Sequence, residues 1–599
     1  MTAYHAPLED LQFLLDEVAD LPAIAGLPGY QEATPDLVAA VLEEAGKMAS
    51  ELLGPLNQTG DRQGSVFENG VVRTPDGFKE AYGQYVESGW NALPFDPDHG
   101  GQGLPWTLAV AIQEIWNAAN LSFALCPLLN QGAVELLQAH GSDAQKARYL
   151  AKMVSGEWAG TMNLTEPQAG SDVGALRAKA EPAGDHYLIT GQKIFITYGE
   201  HDFTDNIIHM VLARTPGAPA GTKGISLFLV PKFLVKEDGS LGQRNDLRCV
   251  SIEHKLGINA SPTAVMAYGD NGGAVGYLVG EENRGMACMF TMMNNARLSV
   301  GVQGLAIAER AYQQALAYAR ERGQSRELSG GGDGPAKIIR HPDVRRTLIT
   351  MKAHIEAMRA FILHSAATLD RAKRLPDADA RAAAQAELDV LIPVAKAWCT
   401  DLGCQVASAG VQVHGGVGFI EETGAAQHYR DARIGPIYEG TNGIQALDLL
   451  TRKLLRDRGA AVNLVIDQMK ATLGALEESR AKEITSLRGA LGEGIMTLEA
   501  SSDFLIDQGE QDLERAASGA TPYLNVFGLV AGCWLLAKGA LAAQRKLSNG
   551  AAPANRSFLE AKLKTARFYA ENIAPVAAAH AAQVINGAES TLALDDDQF

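Results

Sequence analysis

Leu164-Thr165-Glu166-Pro167-Gln168-Ala169-Gly170-Ser171-Asp172 stands where the texture of this chain changes. Upstream the pattern is helical. Thr34-Pro35-Asp36 supplies a cap, a first-turn proline and a first-turn acid, and Leu37, Val38, Val41, Leu42 and Ala45 recur at helical spacing. The loop Asp96-Pro97-Asp98-His99-Gly100-Gly101-Gln102-Gly103 interrupts that pattern and Trp106 resumes it. Downstream come Tyr187-Leu188-Ile189-Thr190, Lys193-Ile194-Phe195-Ile196-Thr197, Ile207 to Leu212 and Ile225 to Val230. These short β-branched and aromatic runs, separated by Gly, Pro and Asp, predict a compact β domain ending near Gly280.

After Glu281-Glu282-Asn283-Arg284-Gly285 the helical period returns in long segments. The low-complexity stretch Ser329 to Pro335 and a turn at Pro376-Asp377 separate them, which predicts four long helices in an antiparallel bundle. From about Arg458 onward the sequence is Ala- and Leu-rich, helical in pattern, and carries no motif tied to chemistry. The expected organisation is therefore mostly α with a central β domain: 1–158 helical, 159–280 β, 281–458 bundle, 459–599 an additional helical domain.

Bulk properties narrow the function. The 599 residues are 46% hydrophobic, enough for several cores, and the net charge of −18 disfavours nucleic acid or an anionic membrane as partner. Six cysteines in so long a chain are too few for a disulfide framework. Cys399 and Cys404 lie in helix-like sequence without a completing His/Cys cluster, so they read as buried, reduced residues suited to a cytosol. The N-terminus has no basic region followed by an apolar run, so no signal peptide is expected. The apolar run Val526 to Ala537 is shorter than the ~20 residues a spanning helix needs and predicts a buried helix in a cytoplasmic protein.

Ile437-Tyr438-Glu439-Gly440-Thr441-Asn442 places a carboxylate beside a glycine at the entrance of a helix beginning near Gly443. Such a carboxylate can be a base with a pKa set by what covers it, or a solvated first-turn residue. Phe195 alone reads as a strand core residue, Arg322 alone as a solvated helix-end charge, and His414 as a structural histidine without a second metal ligand nearby.

Together the 164–172 and 437–442 segments resemble the two signatures of the acyl-CoA dehydrogenase family, flavoenzymes that desaturate acyl-CoA thioesters. The helix–β–helix order matches that fold: a helical domain, a β-barrel domain, then a four-helix bundle. The opening Tyr4-His5-Ala6-Pro7 and the late extension are similar to the large bacterial subgroup often called 3-methylmercaptopropionyl-CoA dehydrogenases. The resemblance implies FAD as cofactor, an electron-transferring flavoprotein as acceptor and at least a homodimer. It implies that Met162, Leu164, Thr165 and Gly170 form the flavin turn, with Ser171 near the pyrophosphate and the substrate. Phe195-Ile196-Thr197 would pack on the flavin and reach N5; many members carry Trp where this chain has Phe195. Asn294 and Arg297 would lie beside CoA, Asn294 replacing the usual Asp. Arg322, Gln412, Gly415 and Gly416 would serve the FAD of a neighbouring subunit, with Thr441 also on cofactor and Gly440 on substrate.

Glu439 would be the base that removes the α-proton, its backbone N–H helping the flavin ribityl hydroxyl to polarise the thioester carbonyl. The alternative base position of the family, just before the bundle arginine, is Ala296 here. Rival readings are an acyl-CoA oxidase, with reoxidation by O₂, and a DNA-associated flavoprotein on the same fold. The latter would need a basic surface, and Arg452, Lys453, Arg456 and Arg458 form one local cluster. No Gly-x-Ser-x-Gly elbow supports a serine hydrolase.

Overall fold

The computed structural model describes residues 3–328 and 334–599, so Ser329 to Asp333 of the low-complexity stretch lie outside the described residues. The chain divides into two compact units: Lys47–Leu104 with Ala119–Ser299, and Met1–Gly46 with Pro105–Ala118 and Val300–Phe599.

The first unit is organised by an eight-stranded sheet. The two runs expected as separate strands at 187–190 and 193–197 are one strand, His186–Thr197, continuous through Gly191 at φ +136°. It pairs antiparallel with Lys179–Ala183 and Ala274–Val279 along its first half and with Thr263–Tyr268 along its second. Beyond Ala274–Val279 the sheet continues through Ser226–Pro231 and Ile207–Ala213 to Ala159–Asn163, which joins in parallel, and beyond Thr263–Tyr268 it ends on Leu247–Ile252. Ile189, Val211, Phe228, Val230, Ala264 and Met266 fill its core. A small hairpin, Val66–Glu68 with Val71–Arg73, interrupts a region expected to be helical. Asn69-Gly70, both at positive φ, makes its two-residue turn.

The second unit is helical. Gly285–Glu321, which enters it at Val300, and Pro342–Arg374 and Ala378–His414 are long, at 37, 33 and 37 residues. The expected fourth long helix is instead broken into Ala425–Ala432, Asn442–Asp448 and a π-helical turn, Leu449–Leu454. Gly435-Pro436 and the turn at Tyr438–Thr441 cause the break, because proline cannot continue the hydrogen-bond ladder.

The C-terminal helices belong to the same unit. Ala520–Ser548 is long and apolar enough to cross a membrane by length and composition, yet 89% of its apolar window is buried within the protein. Two of its glycines allow close packing: a Cβ at Gly528 would fall 2.4 Å from Trp398 Cγ on Ala378–His414, and one at Gly532 would fall 2.5 Å from Tyr569 Oη on Pro553–Asn572. Trp534 is 1% exposed and donates its indole N–H to Thr472 Oγ1 at 2.8 Å. Arg359 is buried among Glu114, Glu309 and Asp10, and Lys562 of the C-terminal helix Pro553–Asn572 reaches the same Asp10. Leu37, expected on the apolar face of its helix, is exposed, while Val38, Leu42 and Ala45 are buried.

Candidate active site

In the first unit, the 164–172 turn hangs on the strand His186–Thr197. Glu166 and Ala169 bond each other's backbones, and Ile194 N–H donates to Thr165 O at 2.9 Å. The Glu166 carboxylate, 4% exposed, faces inward. It accepts Lys193 Nζ at 2.8 Å and the backbone N–H groups of Arg177 and Ala178 at 2.7 and 3.0 Å. Lys193 also donates to Leu164 O at 3.0 Å. Burial pushes the Glu166 carboxyl up, but Lys193 and the two backbone donors outweigh it and leave the carboxyl below its ordinary range. Burial pulls Lys193 down to about 8 against the opposing pull of Glu166.

With Glu166 turned in, Leu164 and Thr165 are half-buried, Met162 is buried, and Gly170 and Ser171 are exposed. Nothing lies within 4 Å of where a Gly170 Cβ would be. Phe195 is not a core residue. Its φ is +59° and it is 59% exposed, because the register with Thr263–Tyr268 slips beside it and the resulting bulge turns the ring outward. Ile196 is buried, and Thr197 O accepts from Thr161 Oγ1 at 2.7 Å. On the bundle segment of this unit, Asn294 is half-buried and Arg297 is 6% exposed with its guanidinium 5.8 Å from the Phe290 ring. Beside them Asn295 Nδ2 donates to Glu135 at 2.6 Å.

The second unit holds the remaining candidates in three places. Arg322 is an exposed helix-end residue whose backbone pairs with Ile338, and its guanidinium lies 3.5 Å from Gln324 Oε1. Gln412, Gly415 and Gly416 are exposed where Ala378–His414 ends. His414 is buried there; it donates Nδ1–H to Gly410 O at 2.7 Å and stacks on Tyr318.

Glu439 occupies the third. Glu439 and Gly440 are both left-handed, at φ +56° and +82°. For a non-glycine residue this costs of order 1–3 kcal/mol and persists only where neighbours over-determine it. Those neighbours are present. Thr441 caps Asn442–Asp448 through Ile444 N–H, and Asn442 N–H closes the loop on Pro436 O. Gln445 Nε2 donates to Glu439 O at 3.1 Å, and Tyr438 donates its hydroxyl to Gln303. Lys396 Nζ donates to Gly440 O and to Asn442 Oδ1, both at 2.8 Å. Sequence reading passed over Glu166, Lys193, Lys396 and Gln445. Lys193 had a signal, since a lysine inside a run of β-branched and aromatic strand residues needs a partner if it is buried.

Three of the four residues in the basic cluster form ion pairs, and Arg456 is exposed. Arg452, Lys453 and Arg458 are paired with Asp448, Asp389 and Glu510. Of the two cysteines expected buried, Cys399 is, while Cys404 is half-buried against Ala432 O.

Four family models cover the chain in order: acyl-CoA dehydrogenase N-terminal domain at 40–157, middle domain at 161–270, C-terminal domain at 283–454, and an acetyl-CoA dehydrogenase C-terminal-like domain at 465–595. The chain belongs to the acyl-CoA dehydrogenase family. It is 49% identical to the 3-methylmercaptopropionyl-CoA dehydrogenase of Ruegeria pomeroyi, over 98% of this chain and 99% of that protein. It is 35% identical to a broad-specificity linear acyl-CoA dehydrogenase of Mycobacterium tuberculosis, over 96% of each. Among solved structures, the fold is shared with a Bacillus anthracis acyl-CoA dehydrogenase complexed with FAD, at TM-score 0.75 and 21% identity, over 96% of this chain and 92% of that one.

Proposed function

We propose that this chain is an FAD-dependent acyl-CoA dehydrogenase that forms the 2,3-enoyl-CoA. The observation that carries this reading is the strained, clamped turn that holds Glu439 in the left-handed region within a chain spanning nearly all of its curated relatives. The α-proton of a thioester is only weakly acidic, so removing it needs a carboxylate held in place and fixed donors on the carbonyl. Glu439 takes the α-proton, and its own backbone N–H polarises the thioester carbonyl. Bound FAD would supply the acceptor for the hydride that leaves the β-carbon.

The residues of the first unit fit a flavin. The inward Glu166 leaves the outer side of the turn to Thr165, Gly170 and Ser171, with open space beside Gly170. Phe195 presents a ring that is 59% exposed, and a planar apolar ligand covering it recovers part of the ~1.5–3 kcal/mol that full burial of such a side chain supplies. Leu164 and Thr197, half-buried, extend this surface, and the buried Met162 and Ile196 serve it through their backbones. Asn294, Arg297, Ser171 and Gly440 serve the CoA ester. Arg322, Gln412, Gly415, Gly416 and Thr441 serve FAD, the first four in a partner subunit, so the working form is at least a homodimer. The four-domain division stated above, an electron-transferring flavoprotein as acceptor and a cytoplasmic location complete the proposal. Paired basic residues near Arg458 argue against a DNA-binding role.

The test is anaerobic titration of purified protein with butyryl-CoA and 3-methylmercaptopropionyl-CoA. A yellow protein whose flavin bleaches with either thioester supports the reading. A protein that neither carries nor takes up FAD contradicts it. Peroxide formation on admitting air would move the reading to an oxidase.

A further inference from the structure

Lys396 lies on the third bundle helix with its residue 0% exposed. Two of its hydrogen bonds converge on one target, Gly440 O and Asn442 Oδ1 at 2.8 Å each, one and three residues after Glu439. Asn442 in turn spends its amide on the same helix: Nδ2 donates to Ala397 O, Thr400 Oγ1 and Asp401 Oδ1 at 3.1, 3.1 and 2.8 Å. The residues 396, 397, 400 and 401 share one helical face, so a single face of a rigid 37-residue helix grips the turn. A buried ammonium is expensive to desolvate, and an exposed polar residue would serve the helix equally well.

We propose that Lys396 is a positioning residue for Glu439. Its ammonium holds the Gly440 carbonyl, which fixes the Glu439–Gly440 pair in its left-handed conformation and aims both the carboxylate and the Glu439 backbone N–H. Gln445, bonded to Glu439 O at 3.1 Å, secures the preceding peptide unit, between Glu439 and Gly440. The inference rests on the reading of Glu439 as the base. It adds that the base is aimed from the helix Ala378–His414 through a charge-assisted hydrogen bond.

The experiment is anaerobic stopped-flow reduction by butyryl-CoA of the full-length, FAD-loaded protein as wild type, Lys396→Met and Glu439→Gln. Methionine keeps the length of the lysine stem and removes the donors. A base displaced by a fraction of an ångström to an ångström loses roughly 10- to 100-fold in rate. Lys396→Met is therefore expected to lower the limiting reduction rate by about that factor, with flavin content retained and half-saturating butyryl-CoA little changed. A double variant with Asn442→Ala is expected to lose little more than the worse single change, since both cut the same clamp. Reduction by Lys396→Met at the wild-type rate while Glu439→Gln is inactive overturns the role of Lys396 and leaves the base assignment standing. Normal reduction by Glu439→Gln overturns the base assignment and with it this inference. A rate that falls only in proportion to lost flavin overturns it as well. Should Lys396→Met fail to fold, Asn442→Ala alone is read by the same outcomes.

Discussion

Lys193 Nζ lies 2.8 Å from Glu166 Oε1, and the two side chains are 0% and 4% exposed. This pair fastens the 164–172 turn to the strand bearing Phe195. Removing one partner strands a buried charge, which costs about 3–5 kcal/mol, whereas replacing both with apolar residues is far milder. Lys193→Met should therefore lower the melting temperature and FAD retention together, and Lys193→Met with Glu166→Leu should recover part of the stability. Thermal unfolding with flavin release followed in parallel checks this. Equal damage from the single and double changes would contradict it.

Phe195 invites a separation of stability from function. Its left-handed φ is unfavourable for any residue but glycine, and its ring makes limited contact in the protein. Phe195→Gly should leave the flavin-free protein as stable or up to ~1 kcal/mol more stable. It should also weaken FAD binding about tenfold, through the lost ring stacking. Isothermal titration of FAD and apo-protein melting give the two readings; unaltered FAD affinity would remove Phe195 from the flavin surface.

Glu114 gives a pH dependence. It shares Arg359 with Glu309 and Asp10, and its carboxyl is pushed up to about 7, chiefly by burial, against the pull of Arg359. A folded pKa above the unfolded value of ~4.3 means that the folded state binds more protons between those two values. The stability this group supplies is full below ~4.3 and is lost as pH rises through about 7. Glu114→Gln, which keeps the protonated shape, should flatten the melting profile between roughly pH 4.5 and 8. Parallel profiles for the two proteins would contradict the assignment.

The helices after Arg458 are expected to pack and to supply no chemical group. Trp534→Asp places a charge among apolar neighbours, and Gly528→Ala drives a methyl into Trp398. The first should cost several kcal/mol and the second about 1–3 kcal/mol. Proteolysis should then begin beyond Arg458. Unchanged melting in both variants would show that this segment is not seated on the bundle as described.

The order of helices, strands and helices was legible because each β run is bounded by Gly, Pro or Asp and each helix keeps its apolar period. What escaped was decided by tertiary context. Phe195 has a strand residue's neighbours in sequence, and only the slipped register turns it outward. Gly191 looks like a strand end, yet its φ of +136° lets the strand run through. The hairpin at Asn69-Gly70 did have a signal, but the flanking runs are three residues each, too short to show alternation. The 437–442 segment was legible as a candidate site because Glu-Gly-Thr-Asn combines a carboxylate, a glycine and a cap. Lys396 was not, because a lysine in an Ala-rich helix reads as solvent-facing until the turn 44 residues away is seen against it.

Glu439→Gln tests the central claim most directly. Glutamine keeps the shape of the side chain and the backbone clamp, and removes only the base. In anaerobic stopped flow with butyryl-CoA, the variant should bind FAD and thioester as wild type and bleach its flavin at least ~10²-fold more slowly. Bleaching at a rate close to wild type, with the same flavin content, would contradict the account.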